Sequence, residues 1–422
     1  MTGQEAVAYI DSFQWQRHAP GLDRIRTLLH ALGDPQKGMK FVHVAGTNGK
    51  GSTCAMVASI LEAAGYRVGL NTSPYLEDFR ERIQINGQMI SEEALGALVE
   101  EIRPAAEAME DHPTEFELIT AIALLYFRRE GCDIAVLEVG LGGALDASNV
   151  IDTPEAAVLA AMGLDHTAVL GPTMADIAAA KAGIIKPGGT VVSLGGCPEA
   201  DAVFRRVCRE QGAHLTEADI SRLGESRITL VGTDFQLSPY GRLHLGLIGR
   251  YQLRNALLAV TAAEALREKG WAIDGDVIRA GLAAARWPGR MEVVHTEPVI
   301  LLEGAHNPQG AQAAAETLRT LFQDRKIVLL LGMLADKDVA GVLSAVTPLA
   351  EAAVTVAPPS PRALSAEALR QLLPRTLPGR ACHTMEEAVR TAAAAAGPQG
   401  AVCALGSLYM VGAVRRAVQA LS

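Results

Sequence analysis

Close cysteine pairs are absent from this 422-residue chain. Cys54, Cys132, Cys197, Cys208, Cys382 and Cys403 are scattered without a C-x-x-C spacing, so neither a zinc site nor a disulfide framework is indicated. A surplus of basic residues is also absent: the formal net charge is -9, which argues against nucleic acid as the main partner while leaving room for anionic small molecules in a local positive pocket. No uninterrupted apolar run is long enough to span a bilayer, and the first residues are acidic and polar where a signal peptide needs a basic segment and an apolar core. These absences lead us to expect a cytoplasmic protein that binds neither nucleic acid nor membrane; a monomer is a separate expectation.

What the chain does contain is enough apolar sequence, 49% of residues, to bury sizeable cores, and a length that suits two or three domains. Apolar runs alternate with helical patterns, the mark of a mostly parallel sheet covered by helices. Strands are expected over Phe41 to Ala45, Val68 to Asn71, Ile134 to Val139 and Ala156 to Met162, with a helix from Cys54 to Ala64. Helices over Asn255 to Lys269 and Asp276 to Ala285 lead to Trp287-Pro288-Gly289-Arg290, whose proline and glycine mark a boundary. Beyond it, Val299 to Leu302, Ile327 to Leu331, Ala352 to Val356 and Ala401 to Leu405 read as strands of a smaller Rossmann-like α/β unit. The expected fold is therefore two α/β domains: residues 1–288, containing a P-loop and a mostly parallel sheet, and residues 289–422.

The run Gly46-Thr47-Asn48-Gly49-Lys50-Gly51-Ser52-Thr53 sits between an apolar strand and a helix, where a phosphate-binding loop belongs. Glycines let backbone N–H groups approach a polyphosphate, Lys50 supplies a mobile charge, and the helix N-terminus adds its dipole. The hydroxyls of Ser52 and Thr53 suit phosphate or hydrated magnesium. The loop is a variant of G-x-x-x-x-G-K-[ST], since Val44 occupies the first glycine position and Gly51 separates Lys50 from Ser52. The plain alternative is a glycine-rich turn with a solvated lysine.

Polar residues at other strand ends converge on the same edge of that sheet. Glu138 precedes Gly140-Leu141-Gly142-Gly143 and can hold magnesium or cap the next turn. Read as a dinucleotide fingerprint this stretch fails, because Leu145 takes the third glycine position, which disfavours a nicotinamide enzyme. His166, in Gly163-Leu164-Asp165-His166, is either a metal ligand or a satisfied structural imidazole. Lys181 has apolar neighbours that suit partial burial, although lysines are usually solvated. Ser73, just after a strand, offers a hydroxyl to a cation or phosphate, or simply forms a turn before Pro74.

Taken in order, GTNGKGS (Gly46 to Ser52), TSPYL (Thr72 to Leu76), TEFE (Thr114 to Glu117), EVGLGG (Glu138 to Gly143) and GLDHT (Gly163 to Thr167) resemble the folylpolyglutamate synthase and dihydrofolate synthase branch of the Mur ligase superfamily. The resemblance continues through KAGIIKPG (Lys181 to Gly188), YQxxNA (Tyr251 to Ala256), WPGR (Trp287 to Arg290), GAHNP (Gly304 to Pro308) and GSLY (Gly406 to Tyr409), covering nearly the whole chain.

The resemblance implies an ATP-dependent acid–amino-acid ligase that joins L-glutamate to the carboxylate of a folate or dihydropteroate through an acyl phosphate. The protein's part is positioning and charge neutralisation. By the same resemblance, Lys50 and the loop N–H groups hold the phosphates of ATP, Ser73, Glu138 and His166 bind magnesium, and a carbamylated Lys181 supports a second magnesium. Lys50, His166 and Lys181 are the expected catalytic residues. Gln252, Asn255, Arg290 (to phosphate), Glu303 (toward the ribose) and His306 are expected nucleotide contacts, with Asn307 at the same strand end. Phe116, Ser407 and Tyr409 are expected to contact acceptor or glutamate.

The chain departs from the family pattern where Glu303 replaces the aspartate usual before GAHN and where Ala180 replaces the glutamate usual before the carbamylated lysine. Only Met1 to Ala45 precede the loop, which leaves little room for the amino-terminal domain of a peptidoglycan-type Mur ligase. Activity on both acceptors is the favoured expectation. The alternatives are a monofunctional folylpolyglutamate synthase and a nucleotide-regulated binding protein built on the same loop.

Overall fold

The computed structural model describes residues 1–13 and 21–421. Contacts divide the chain into two compact units, Met1–Arg222 with Arg254–Ala285, and Leu223–Leu253 with Arg286–Ser422.

The first unit is built on strands β1 (Phe41–Ala45), β2 (Val68–Asn71), β3 (Ile83–Ile85), β4 (Gln88–Met89), β5 (Ile134–Glu138), β6 (Ala156–Leu159), β7 (Thr190–Ser193) and β8 (His214–Glu217), in the spatial order β4-β3-β2-β5-β1-β6-β7-β8. Strands β2, β5, β1, β6, β7 and β8 run parallel, and the β3–β4 hairpin adds an antiparallel edge. Every residue of β1, β5 and β6 is buried, as strands covered by helices on both faces require. The chain order reverses around β1, which lies between β5 and β6, so the loops leaving these three strands emerge side by side. That reversal is where open α/β sheets place their ligands.

Two helices fix the loops. Lys50–Ala63 follows β1 and is buried along most of its length, and Gly281 of helix Gly275–Ala284 packs against it so closely that a Cβ there would lie 2.4 Å from the Ile60 Cα. The Ser59 hydroxyl donates to the Gly281 carbonyl at 2.7 Å, so the helix carrying Lys50 is clamped through backbone. Helix Met174–Ala182 starts with a reciprocal Thr173–Asp176 capping box and carries Lys181 in its last turn.

In the second unit, β9 (Leu223–Thr229), β10 (Gly232–Leu237) and β11 (Gly241–Leu245) form an antiparallel sheet. Strands β12 (Glu292–Thr296), β13 (Val299–Leu302), β14 (Ile327–Leu331), β15 (Ala352–Thr355), β16 (Gly379–Ala381) and β17 (Ala401–Leu405) form a second sheet ordered β12-β13-β17-β14-β15-β16, parallel except for β12. The adjacency of β13 and β17 brings Glu303 and Ser407 to neighbouring strand ends. Its core includes Leu301, Leu329, Leu331 and Leu405 with Ile248 and Leu318, so part of the segment before the boundary expected at residue 288 packs here. A single cut there assigns β9 to β11 to the first domain, whereas their contacts place them with the second unit. Among the described residues they pair only with one another and extend neither large sheet.

Candidate active site

The loop after β1 is held open by its neighbours. Thr47 and Asn48 donate their N–H groups to the Ala161 carbonyl at 2.9 and 3.1 Å, and Thr47 Oγ1 exchanges hydrogen bonds with the carbonyl and N–H of Gly163. Gly49 adopts φ 83°, and a Cβ on it would meet Asn255 Oδ1 at 2.4 Å, so left-handed backbone and close approach both require glycine there. The following helix begins at Lys50, four residues before the expected start. Lys50, Gly51, Ser52 and Thr53 therefore make its first turn, where the N-terminal end of the helix dipole favours an anion. Ser52 and Thr53 are buried, and Thr53 Oγ1 has no hydrogen-bond partner.

Two residues from different elements meet this loop. Glu138, at the end of β5 and buried, places Oε1 4.0 Å from Lys50 Nζ, while its Oε2 accepts the Ser73 N–H at 3.0 Å. Lys181 is 5% exposed and its Nζ donates to the Gly46 carbonyl at 2.8 Å. Burial, reinforced by the charge of Lys50, lowers the Lys181 ammonium from an ordinary 10.5 to about 7, with Asp165 and Asp146 opposing. The neutral amine is thus accessible near neutrality, as carbamate chemistry requires.

His166 lies on the rim: its side chain is half exposed, its backbone is left-handed at φ 52°, and Nε2 is 3.9 Å from Asp165 Oδ2. Phe116, on helix Glu115–Arg129, fills the space beside Gly140, where a Cβ would lie 2.7 Å from its Cζ. Among the described residues, no group of three or more His, Cys, Asp or Glu side chains is arranged to hold a metal ion. Magnesium does not need such a cage, because it commonly binds one or two carboxylates together with substrate phosphates. Glu138, at the end of β5 beside the phosphate loop, suits that mode. Lys181 fits only as a carbamate, since its ammonium repels a cation.

The loop following Glu138 wraps the end of the Lys181 helix. Ala144 donates its N–H to the Ala180 carbonyl at 2.8 Å, and Asn149 Nδ2 donates to Ala144 and Gly183 carbonyls at 3.1 Å each. Behind it, the Asp146 carboxylate accepts N–H groups from Leu141 at 2.9 Å and Ser148 at 3.0 Å, and the Ser148 hydroxyl. Ser148 Oγ in turn lies 2.8 Å from Nε2 of buried His43, whose ring stays neutral because burial lowers its pKa to about 3. Sequence reasoning passed over Asp146, although an acid followed two residues later by serine is a turn signal.

In the second unit, β13 leads into Glu303. Glu303 is buried, and its Oε2 accepts the Tyr251 hydroxyl at 2.9 Å and the Met291 N–H at 3.1 Å. Burial raises its carboxyl, while Arg290, Tyr251 and the N–H groups of Met291 and Ala305 work against the rise. Arg290 lies against the chain after β13: a Cβ on Gly304 would meet its Nη1 at 1.9 Å. His306 Nδ1 lies 2.9 Å from the Gly304 carbonyl, and Asn307 caps helix Pro308–Leu321 through Gly310. Gln252, next to Tyr251, is fully buried. At the end of β17, buried Ser407 caps helix Leu408–Gln419 by accepting the Tyr409 N–H at 3.2 Å, whereas Tyr409 is largely exposed with the Arg362 guanidinium 5.9 Å from its ring centre.

Comparison with known proteins identifies the family. Residues 44–263 match the Mur ligase middle domain and residues 289–408 the Mur ligase, glutamate ligase domain. A folylpolyglutamate synthase of Lacticaseibacillus casei is 38% identical over 435 aligned positions, covering 99% of this chain and 98% of its own. The chain belongs to the folylpolyglutamate synthase and dihydrofolate synthase family of Mur ligases. Other members of this family are similar over comparable lengths. The Escherichia coli dihydrofolate synthase/folylpolyglutamate synthase is 33% identical, with coverage of 98% of this chain and 95% of its own. The structure of the Mycobacterium tuberculosis folylpolyglutamate synthase complexed with ADP superimposes with a TM-score of 0.91 at 34% identity, covering 98% of this chain and 97% of that one.

Proposed function

We propose that this chain ligates L-glutamate to the carboxylate of dihydropteroate and of a folate in an ATP-dependent reaction through an acyl phosphate. The convergence of Lys50, Glu138 and Lys181 on the loop after β1 carries the reading, because it supplies a phosphate cradle and the start of a cation site at one sheet edge.

In the first step an acceptor carboxylate oxygen attacks the γ-phosphorus. A new O–P bond forms, the bond to the β,γ-bridging oxygen breaks, and ADP departs. Lys50, the N–H groups of Gly49, Gly51 and Ser52 and the Thr53 hydroxyl bind the phosphates and follow the charge that moves to the bridging oxygen. Gln252, Asn255, Arg290 and His306 complete the nucleotide contacts. Glu138, with Ser73 and His166, would hold magnesium, and Lys181 joins the set once its neutral amine has added CO2 and released a proton. When bound, magnesium neutralises phosphate charge in the transition state. Phe116 offers an apolar face to the acceptor, and Ser407 and Tyr409 orient glutamate. In the second step the neutral glutamate amine attacks the acyl carbon, phosphate leaves, and the nitrogen loses its proton.

The name of the Escherichia coli relative supports use of both acceptors, and the single activity in the name of the Lacticaseibacillus casei relative supports the narrower reading. Incubation with ATP, magnesium, L-glutamate and either dihydropteroate or tetrahydrofolate, read by product mass, separates them. The proposal expects a product one glutamyl residue heavier from each acceptor. A product from tetrahydrofolate alone reduces the assignment to folylpolyglutamate synthase.

A further inference from the structure

The resemblance expects an aspartate at position 303 and a ribose contact from it, yet the glutamate found there has its side chain engaged within the protein. It is 3% exposed, and a single oxygen, Oε2, accepts both the Tyr251 hydroxyl and the Met291 N–H. The Glu303 N–H is itself committed to the Ala404 carbonyl at 2.9 Å, so the base of the side chain is fixed by the sheet.

Both donors adjoin proposed nucleotide contacts. Met291 follows Arg290 and adopts φ 47°, a left-handed conformation that costs free energy for a residue with a side chain and persists where surrounding structure holds it. Its hydrogen bond to Glu303 is such a hold. Tyr251 precedes Gln252, and its ring lies against Gly249, where a Cβ would be 2.8 Å from Tyr251 Cε1. The ring therefore cannot pivot toward Gly249, and the hydroxyl is aimed at the carboxylate.

We propose that Glu303 is a buried positioning residue which, paired with the Tyr251 hydroxyl, sets Arg290 and Gln252 for the nucleotide instead of touching the ribose. This rests on the reading of Arg290 and Gln252 as nucleotide contacts. The extra methylene of glutamate is what the pairing uses: it carries the carboxylate to Tyr251 and Met291. An aspartate in the same backbone would fall short of both donors.

The test compares Glu303→Gln, Glu303→Asp, Tyr251→Phe, the Tyr251→Phe/Glu303→Gln double variant and Arg290→Ala in the full-length enzyme. Each is assayed for kcat and KM with ATP and with 2′-deoxy-ATP and 3′-deoxy-ATP, and for thermal melting. Tyr251→Phe removes one oxygen and keeps the ring, so the fold is retained. Loss of the hydrogen bond from Tyr251 to the buried carboxylate should raise KM for ATP about tenfold in Tyr251→Phe, and loss of both donors should raise it at least as much in Glu303→Asp, with kcat changed less than threefold in each. The double variant should be no worse than its worse parent, because both changes act on one interaction, the first removing its donor and the second the charge of its acceptor. The preference for ATP over either deoxy analogue should be the same in Glu303→Gln as in the parent enzyme. Loss of that preference in Glu303→Gln but not in Tyr251→Phe would establish a ribose contact and overturn the proposal. Unchanged KM in Tyr251→Phe and Glu303→Asp, with KM raised in Arg290→Ala, would overturn the positioning role and leave the nucleotide reading intact. Unchanged KM in Arg290→Ala would overturn both.

Discussion

Replacing Lys181 with methionine should make the free protein more stable at pH 7 while abolishing ligation. Lysine buried at 5% exposure is held at about 7 instead of 10.5. At about 1.36 kcal/mol per pH unit this depression costs the folded state about 4 kcal/mol at pH 7. Two terms oppose the gain from removing it. The hydrogen bond from Nζ to the Gly46 carbonyl is lost, at about 1 kcal/mol. Fitting a thioether in place of the ammonium costs about 1 kcal/mol more. Methionine should therefore win by about 2 kcal/mol at pH 7.

The sign of the pH dependence follows from proton binding. Between pH 7 and 10.5 the unfolded chain holds a proton on Lys181 that the folded chain has released, so parent stability rises through that window and is flat with respect to this group below it. The methionine variant lacks this slope, and the two curves should meet near pH 9. The comparison calls for urea unfolding in magnesium-free, nucleotide-free, CO2-depleted buffer at several pH values from 6 to 10. A variant less stable than the parent at pH 7, or a stability gap that does not change between pH 7 and 9.5, would refute the reasoning.

Two further outcomes follow from the same site. Lys50→Ala should lower kcat for ligation by about 10²-fold or more with the fold intact, since one preorganised charge at the transferring phosphoryl group is worth a few kcal/mol; near-normal turnover would remove Lys50 from the mechanism. Lys181 should gain a carbamate when bicarbonate is supplied with magnesium and an ATP analogue, seen as a ¹³C resonance from labelled CO2 that is absent in Lys181→Ala, and formate should restore part of the activity of that variant. An unmodified lysine under those conditions, with no response to formate, contradicts the carbamate.

The apolar strands and the loop they feed were legible because burial on both faces leaves a continuous apolar run. Phe41–Ala45, Val299–Leu302, Ile327–Leu331 and Ala401–Leu405 occur as expected, and Lys50, Glu138 and Lys181 meet because topology brings the ends of β1 and β5 together with the helix after β6. The helix after the loop begins earlier than its apolar pattern, since Lys50 and Gly51 carry no apolar signal while their backbone turns helical. Strand β9 was missed because Leu223–Thr229 is largely exposed and shows neither an apolar run nor a clean alternation. The Glu303 environment was not legible at all. Tyr251 and Glu303 are far apart in sequence, and their meeting depends on the packing of the segment before β12 against the end of β13. Pattern reasoning identified the acid; only coordinates show which way it turns.

The central claim is that the acceptor carboxylate is activated by phosphorylation before glutamate attacks. Dihydropteroate or tetrahydrofolate carrying ¹⁸O in its reacting carboxylate, turned over with ATP, magnesium and L-glutamate, tests it directly by the mass of the phosphate released. The account predicts one ¹⁸O per phosphate formed from fully labelled carboxylate, the same oxygen being missing from the amide. Phosphate without label, alongside an amide product of the expected mass, would contradict the acyl phosphate.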